Sequence, residues 1–159
     1  MAVMAADALM PHKGTPTKLS VACTGADTFY KNALVFADTA GTAQVSVPDA
    51  GDYFLGICAE QVTTTAAGDL VDIYVDGLFA IAFETPAEAD VGDVCVVDIS
   101  DGGRTDNQTD AMTGADATLA NNDILIGKIL AIDAEETTRG WVQIQPGWIY
   151  ESTGPLGWV

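Results

Sequence analysis

The 159-residue chain has a single histidine, His12, and only six basic residues against 23 acidic ones. One imidazole cannot form an acid–base or metal-binding pair. His12 also lies among residues without a sustained hydrophobic period, where a rigid site is hard to build. The formal charge of −17 repels phosphate backbones and anionic headgroups, which argues against nucleic acid and membrane as partners. Long apolar runs are missing too. The best of them, such as Leu78 to Phe83, are far too short to cross a bilayer. Met1 to Met10 holds no basic residue and its apolar stretch is broken by Asp7, so no secretory leader is predicted and assembly in a cytoplasm is expected. Paired cysteines are absent. Cys23, Cys58 and Cys95 are odd in number, widely spaced and set in apolar strings, the pattern of buried reduced thiols. With no C-x-x-C pair, zinc is not expected. No nucleophile elbow, phosphate loop, zincin helix or dinucleotide fingerprint occurs, so no cofactor and no enzymatic activity are predicted.

What is present is β grammar. Hydrophobic residues make up 48% of the chain, enough for a core without disulfides or metal. Val71, Ile73 and Val75 alternate with Asp72, Tyr74 and Asp76, and Phe79, Ile81 and Phe83 alternate with Ala80, Ala82 and Glu84. Between the halves, Asp76-Gly77 suits a tight hairpin or a bulge. Further strands are predicted over Leu34 to Phe36, Gln44 to Val47, Phe54 to Val62, Val94 to Ile99, Ile124 to Ile132 and Trp141 to Ile144. Val94 to Ile99 is apolar on both faces and should be central. Tyr53, Phe54, Tyr74, Phe79 and Phe83 read as core or strand-face residues. Only Pro86 to Asp90 suggests a short helix. The fold class predicted is all-β, a small barrel or sandwich.

The string Leu55-Gly56-Ile57-Cys58-Ala59 is echoed by Ile126-Gly127-Lys128-Ile129-Leu130. Each is followed by a turn, a glycine and another apolar strand, as two hairpins of similar build would require. Outside this framework, residues 1–20 read as an N-terminal arm, residues 21–145 as the β domain and residues 146–159 as an irregular tail. Gly102 to Asn122 reads as a long loop, functional or mobile. Its neighbourhood from Asp98 to Asp110 alternates oxygen-bearing side chains, which invites calcium. The spacing fits no EF-hand, however, and a solvated loop explains it as well. All three tryptophans, Trp141, Trp148 and Trp158, fall in the last nineteen residues with Tyr150. They serve either the domain's own core or contacts between subunits.

The succession Phe54-Leu55-Gly56-Ile57-Cys58-Ala59, Ala67-Gly68-Asp69-Leu70-Val71-Asp72-Ile73-Tyr74-Val75 and Asp76-Gly77-Leu78-Phe79 resembles the capsid cement, or head decoration, proteins of tailed bacteriophages. Val91-Gly92-Asp93-Val94-Cys95-Val96-Val97-Asp98, Ile126-Gly127-Lys128-Ile129-Leu130 and Gly140-Trp141-Val142-Gln143-Ile144 continue it. The likeness spans roughly residues 50–145. It consists of strand order and carries no invariant chemical motif. It implies a β-tulip-like barrel, a homotrimer, and a virion location on the outer capsid surface, bracing the major capsid protein. The arm would extend a sheet of that partner by strand addition, through Ala2, Val3, Met4, Leu9, Met10, Lys13, Lys18 and Leu19. Trp141, Trp148, Tyr150 and Trp158 are the candidate contacts between subunits. The alternatives are another virion component (head fibre or tail protein), a carbohydrate-binding β-module with the tryptophans as a stacking platform, or an enzyme with a site not visible in the sequence.

Overall fold

The computed structural model describes residues 10–37, 41–44, 52–82, 86–98, 112–116, 123–145, 150–151 and 154–155. Apart from one 3-10 turn at Glu88–Asp90, every regular element among them is a strand. The chain is all-β, as alternation and glycine-rich turns require. In order come β1 (His12–Lys13), β2 (Lys18–Ala22), β3 (Thr28–Phe29), β4 (Leu34–Ala37), β5 (Ala43–Gln44), β6 (Tyr53–Cys58), β7 (Val62–Thr63) and β8 (Leu70–Tyr74). They are followed by β9 (Leu78–Ala82), β10 (Val94–Asp98), β11 (Met112–Asp116), β12 (Asp123–Ile132) and β13 (Arg139–Ile144). A small ribbon, β14 (Tyr150–Glu151) with β15 (Gly154–Pro155), closes the series.

Two antiparallel sheets organise the fold. One runs β2-β8-β6-β4-β5 and the other β1-β9-β13-β12-β10-β11; β3 pairs separately with β7. The main core lies between the sheets. It takes Leu34, Phe36, Phe54 and Ile57 from the first and Phe79, Ile81, Val97, Ile126, Ile129 and Val142 from the second. Each such side chain, fully withdrawn from water, stabilises the fold by about 1.5–3 kcal/mol. A second cluster covers the opposite face of the first sheet, where Val35, Cys58, Val71 and Ile73 meet Cys23, Phe29 and Ala33. The first sheet therefore has apolar residues on both faces. It curls until Cys23, just past β2, forms a parallel bridge with Ala43 of β5, and the Thr24 N–H donates to the Ala43 carbonyl at 3.1 Å. Among the described residues the two sheets do not close into one barrel. The arrangement is a sandwich whose first layer is strongly curled.

Several expectations need correction. The arm ends earlier than residue 20: Met10 is buried in the main core, Lys13 lies in β1 and Lys18 and Leu19 lie in β2. β1, only two residues long, carries no hydrophobic period, so nothing in its composition separates it from an arm. The strands β8 and β9 do not form a hairpin. They belong to different sheets, and the chain passes between layers at Asp76-Gly77, with Gly77 at φ +119° and the Asp76 carboxylate accepting from the Thr17 N–H at 2.6 Å. A glycine marks a sharp change of direction but does not say which strand the chain meets next. The stretch from Phe54 to Val62 splits into β6 and β7. The loop expected over 102–122 contains β11, paired with β10. The helix expected near Pro86 is the 3-10 turn. As expected, β10 is internal to its sheet, and Cys95, Val96 and Val97 are all fully buried.

The echo noticed in the sequence extends across both sheets. The order β2-β8-β6-β4-β5 has the same connectivity as β9-β13-β12-β10-β11, strand for strand in chain order. In the first unit Val35 pairs with Gly56 and Phe36 with Phe54, leaving Leu55 as a bulge. In the second, Cys95 pairs with Gly127 and Val96 with Leu125, leaving Ile126 as a bulge. A methyl group on Gly56 would strike the Tyr74 carbonyl oxygen, and one on Gly127 would strike the Gln143 carbonyl oxygen. Tyr74 pairs onward with Lys18, and Gln143 with Leu78. The chain is a tandem of two topologically identical five-stranded units, with β1 added to the outer edge of the second.

Candidate interaction surfaces

One side of the second sheet carries a groove of about 530 Å³ lined by His12, Lys13, Asp133, Arg139 and Trp141, among others. Strand pairing builds it. Trp141 of β13 sits opposite Ala80 of β9, and β1 lies along the far side of β9, which brings the Lys13 ammonium to 4.7 Å from the Trp141 ring centroid. Two residues singled out for separate roles, Lys13 and Trp141, thus meet in a cation–π contact, worth about 0.5–1 kcal/mol where exposed. At the groove floor the Arg139 Nε donates to Asp133 at 2.6 Å, with both side chains largely withdrawn from water. That bond, and a second from the Glu135 N–H, hold the Asp133 carboxyl below the usual aspartate range. A carboxylate so engaged is a structural anchor with little capacity to act as a base. His12 stacks against Tyr74 and Phe79, with ring centroids 5.8 and 5.5 Å away, and helps seat β1 on the sheets.

The second surface is the outer edge of β2. Lys18, Leu19 and Ser20 are exposed, and Leu19 is 54% accessible despite lying on the apolar face beside Ile73. Lys18 and Leu19, expected in the N-terminal arm, instead form a sheet edge. A period-2 string with one charged end, Lys18-Leu-Ser-Val-Ala22, was the available signal. Of the other exposed apolar side chains, Leu70 sits on β8 opposite Ala22 of this same edge, while Val91 and Leu130 lie on other segments. Leu130 owes its exposure to a register break between Ile129 and Ala131.

The remaining expected residues divide as follows. Ala2, Val3, Met4, Leu9, Trp148 and Trp158 lie outside the described residues, as does the suggested calcium segment beyond Asp98. Tyr150 falls in β14, which pairs with β15 and lies against β12. Cys23 and Cys58 are buried in the second cluster and Cys95 in the main core, none of them in a disulfide. The Cys23 and Cys58 thiols donate to backbone carbonyls, as structural cysteines do. Among the described residues, no group of three or more His, Cys, Asp or Glu side chains is placed to hold a metal ion. No helix there is long and apolar enough to cross a membrane. Comparison with known protein families, with curated proteins and with solved structures gives no match.

Proposed function

We propose that this chain is a structural virion protein, a cement protein that binds the outer surface of a tailed-phage head and braces the lattice of the major capsid protein. The observation that carries the reading is how the family-like phrases are used. Each falls on a strand or corner of the framework: Leu55–Ala59 in and just after β6, Leu70–Tyr74 as β8, Val94–Asp98 as β10, Ile126–Leu130 in β12 and Gly140–Ile144 in β13. An all-β body rich in acidic residues, in whose groove Asp133 and Arg139 are already engaged with each other, is suited to contact. A charge of −17 also suits the outside of a particle, away from packaged DNA and toward basic patches on the shell. Many weak contacts, repeated over a lattice, then add to firm attachment. The carbohydrate alternative is less favoured, because Lys13 already covers one face of Trp141.

The test is direct. Purified protein should have the mass of a homotrimer by light scattering and should bind empty tailed-phage heads at a fixed ratio to the major capsid protein. Rising salt should weaken that binding. A monomer that leaves the heat or pressure resistance of such heads unchanged would defeat the proposal.

A further inference from the structure

The two units differ at one equivalent place. Just before β9 the Gly77 carbonyl accepts from the Ile144 N–H, so alternate residues Leu78, Ala80 and Ala82 direct their backbone groups away from β13. That side is filled: β1 pairs there, and the Ala80 N–H donates to the Pro11 carbonyl at 2.8 Å. In β2 the Thr17 carbonyl accepts from the Val75 N–H and the Cys23 N–H donates to the Asp69 carbonyl. Lys18, Ser20 and Ala22 therefore direct their backbone groups away from β8. Ser20 is the counterpart of Ala80, and among the described residues no strand pairs with the outer side of β2 along Lys18–Val21; only beyond that does the Cys23–Ala43 bridge bring β5 against its end.

We propose that the open edge of β2 takes an extended strand of another protein in which apolar and basic side chains alternate. The two faces of the edge set this chemistry. On one, half-exposed Leu19 and partly buried Val21 continue the apolar cluster around Val71 and Ile73. On the other stand the carboxylates of Asp72, hydrogen-bonded to Ser20, and Glu60, 3.7 Å from the Lys18 ammonium, with exposed Leu70 beside them at the Ala22 end. Alternate residues of an added strand would meet apolar surface and carboxylates in turn. The strand that fills the equivalent edge, β1, itself brings a lysine, Lys13. A second copy of β2 suits the edge less well, since it brings one lysine and a net charge of −17 against −17. The inference stands apart from the shell reading, because it concerns the strand's chemistry and not the identity of the protein that bears it.

The test uses the full chain, isotope-labelled, and a capped peptide of alternating lysine and valine as probe. The peptide should shift the amides of Lys18 and Ser20 and slow their exchange. An analogue of the same charge, N-methylated at alternate residues, should not. Ser20→Pro removes the outward N–H while leaving the β8 ladder in place, and Leu19→Lys removes the apolar contact; each should weaken binding about tenfold. Correct folding of each variant is checked by its amide spectrum. Equal binding of both peptides, shifts confined to other surfaces, full binding by both variants, or a Ser20 amide already protected in a concentration-dependent way by a second copy would each overturn the proposal.

Discussion

Replacing Gly127 by alanine tests the tandem architecture at its tightest point. The added methyl group would strike the Gln143 carbonyl oxygen and sit 2.8 Å from the Gln143 carbonyl carbon and 2.9 Å from the Ile144 Cα. All three are backbone atoms of the neighbouring strand, so no side chain can rotate away. Either β12 and β13 separate or the bulge at Ile126 is lost, and both disturb the packing of Ile126, Ile129 and Val142 in the main core. Forced overpacking of this kind costs about 2–3 kcal/mol. Gly56→Ala should act in the same sense for the same reason, against the Tyr74 carbonyl oxygen. Gly25→Ala is the control, because a methyl group there meets nothing within 4 Å. It should be neutral, or stabilise slightly through the unfolded chain. In urea unfolding followed by circular dichroism, a loss of that size lowers the midpoint by about 1–2 M for a slope near 2 kcal/mol/M. If Gly127→Ala and Gly25→Ala unfold at the same urea concentration, the strand crossing described here is wrong.

The buried position of Met10 predicts that Met10→Ala costs about 2–4 kcal/mol in the same assay, whereas an arm residue would cost nothing measurable. Truncation separates the two views further. Removing residues 1–19 takes away Met10, β1 and part of β2 and should abolish cooperative melting, which removal of residues 1–9 should leave in place. Acid should destabilise the protein in a defined window. Asp69, held by the Thr65 and Ala66 N–H groups, Asp76, held by the Thr17 N–H, and Asp133, held first by Arg139, all lie below the ordinary aspartate value of 3.8. A depressed folded-state pKa gives stability that is complete above the unfolded value and is lost as pH falls through the folded one. Thermal melts taken between pH 6 and 2 should therefore drop most steeply below about pH 4. Asp133→Asn should flatten that drop, and an unchanged slope would refute its role.

Much of the framework was legible because buried strands carry their pattern in side chains. Val71 and Ile73, Phe79 and Ile81, and the doubly apolar Val94 to Val97 all read correctly. The glycine-centred echo was legible too, since a close strand crossing excludes every other residue. Edges were not. β1 and β2 are paired by backbone hydrogen bonds, which any sequence can make, and most of their side chains are exposed. Which sheet a strand joins was equally hidden, as the corner at Asp76-Gly77 shows. The groove is a product of pairing across distant segments: Lys13 and Trp141 meet only because β1 and β13 flank β9. No local reading could have joined them.

That placement of β1 has a consequence for synthesis on the ribosome. Residues 18–74 contain every strand of the first unit, so that half can assemble as soon as it emerges. The preceding segment cannot settle, because its partner β9 has not yet been made. β1 must wait for residues 78–82, and its docking onto them ties a segment made before the first unit to a strand of the second.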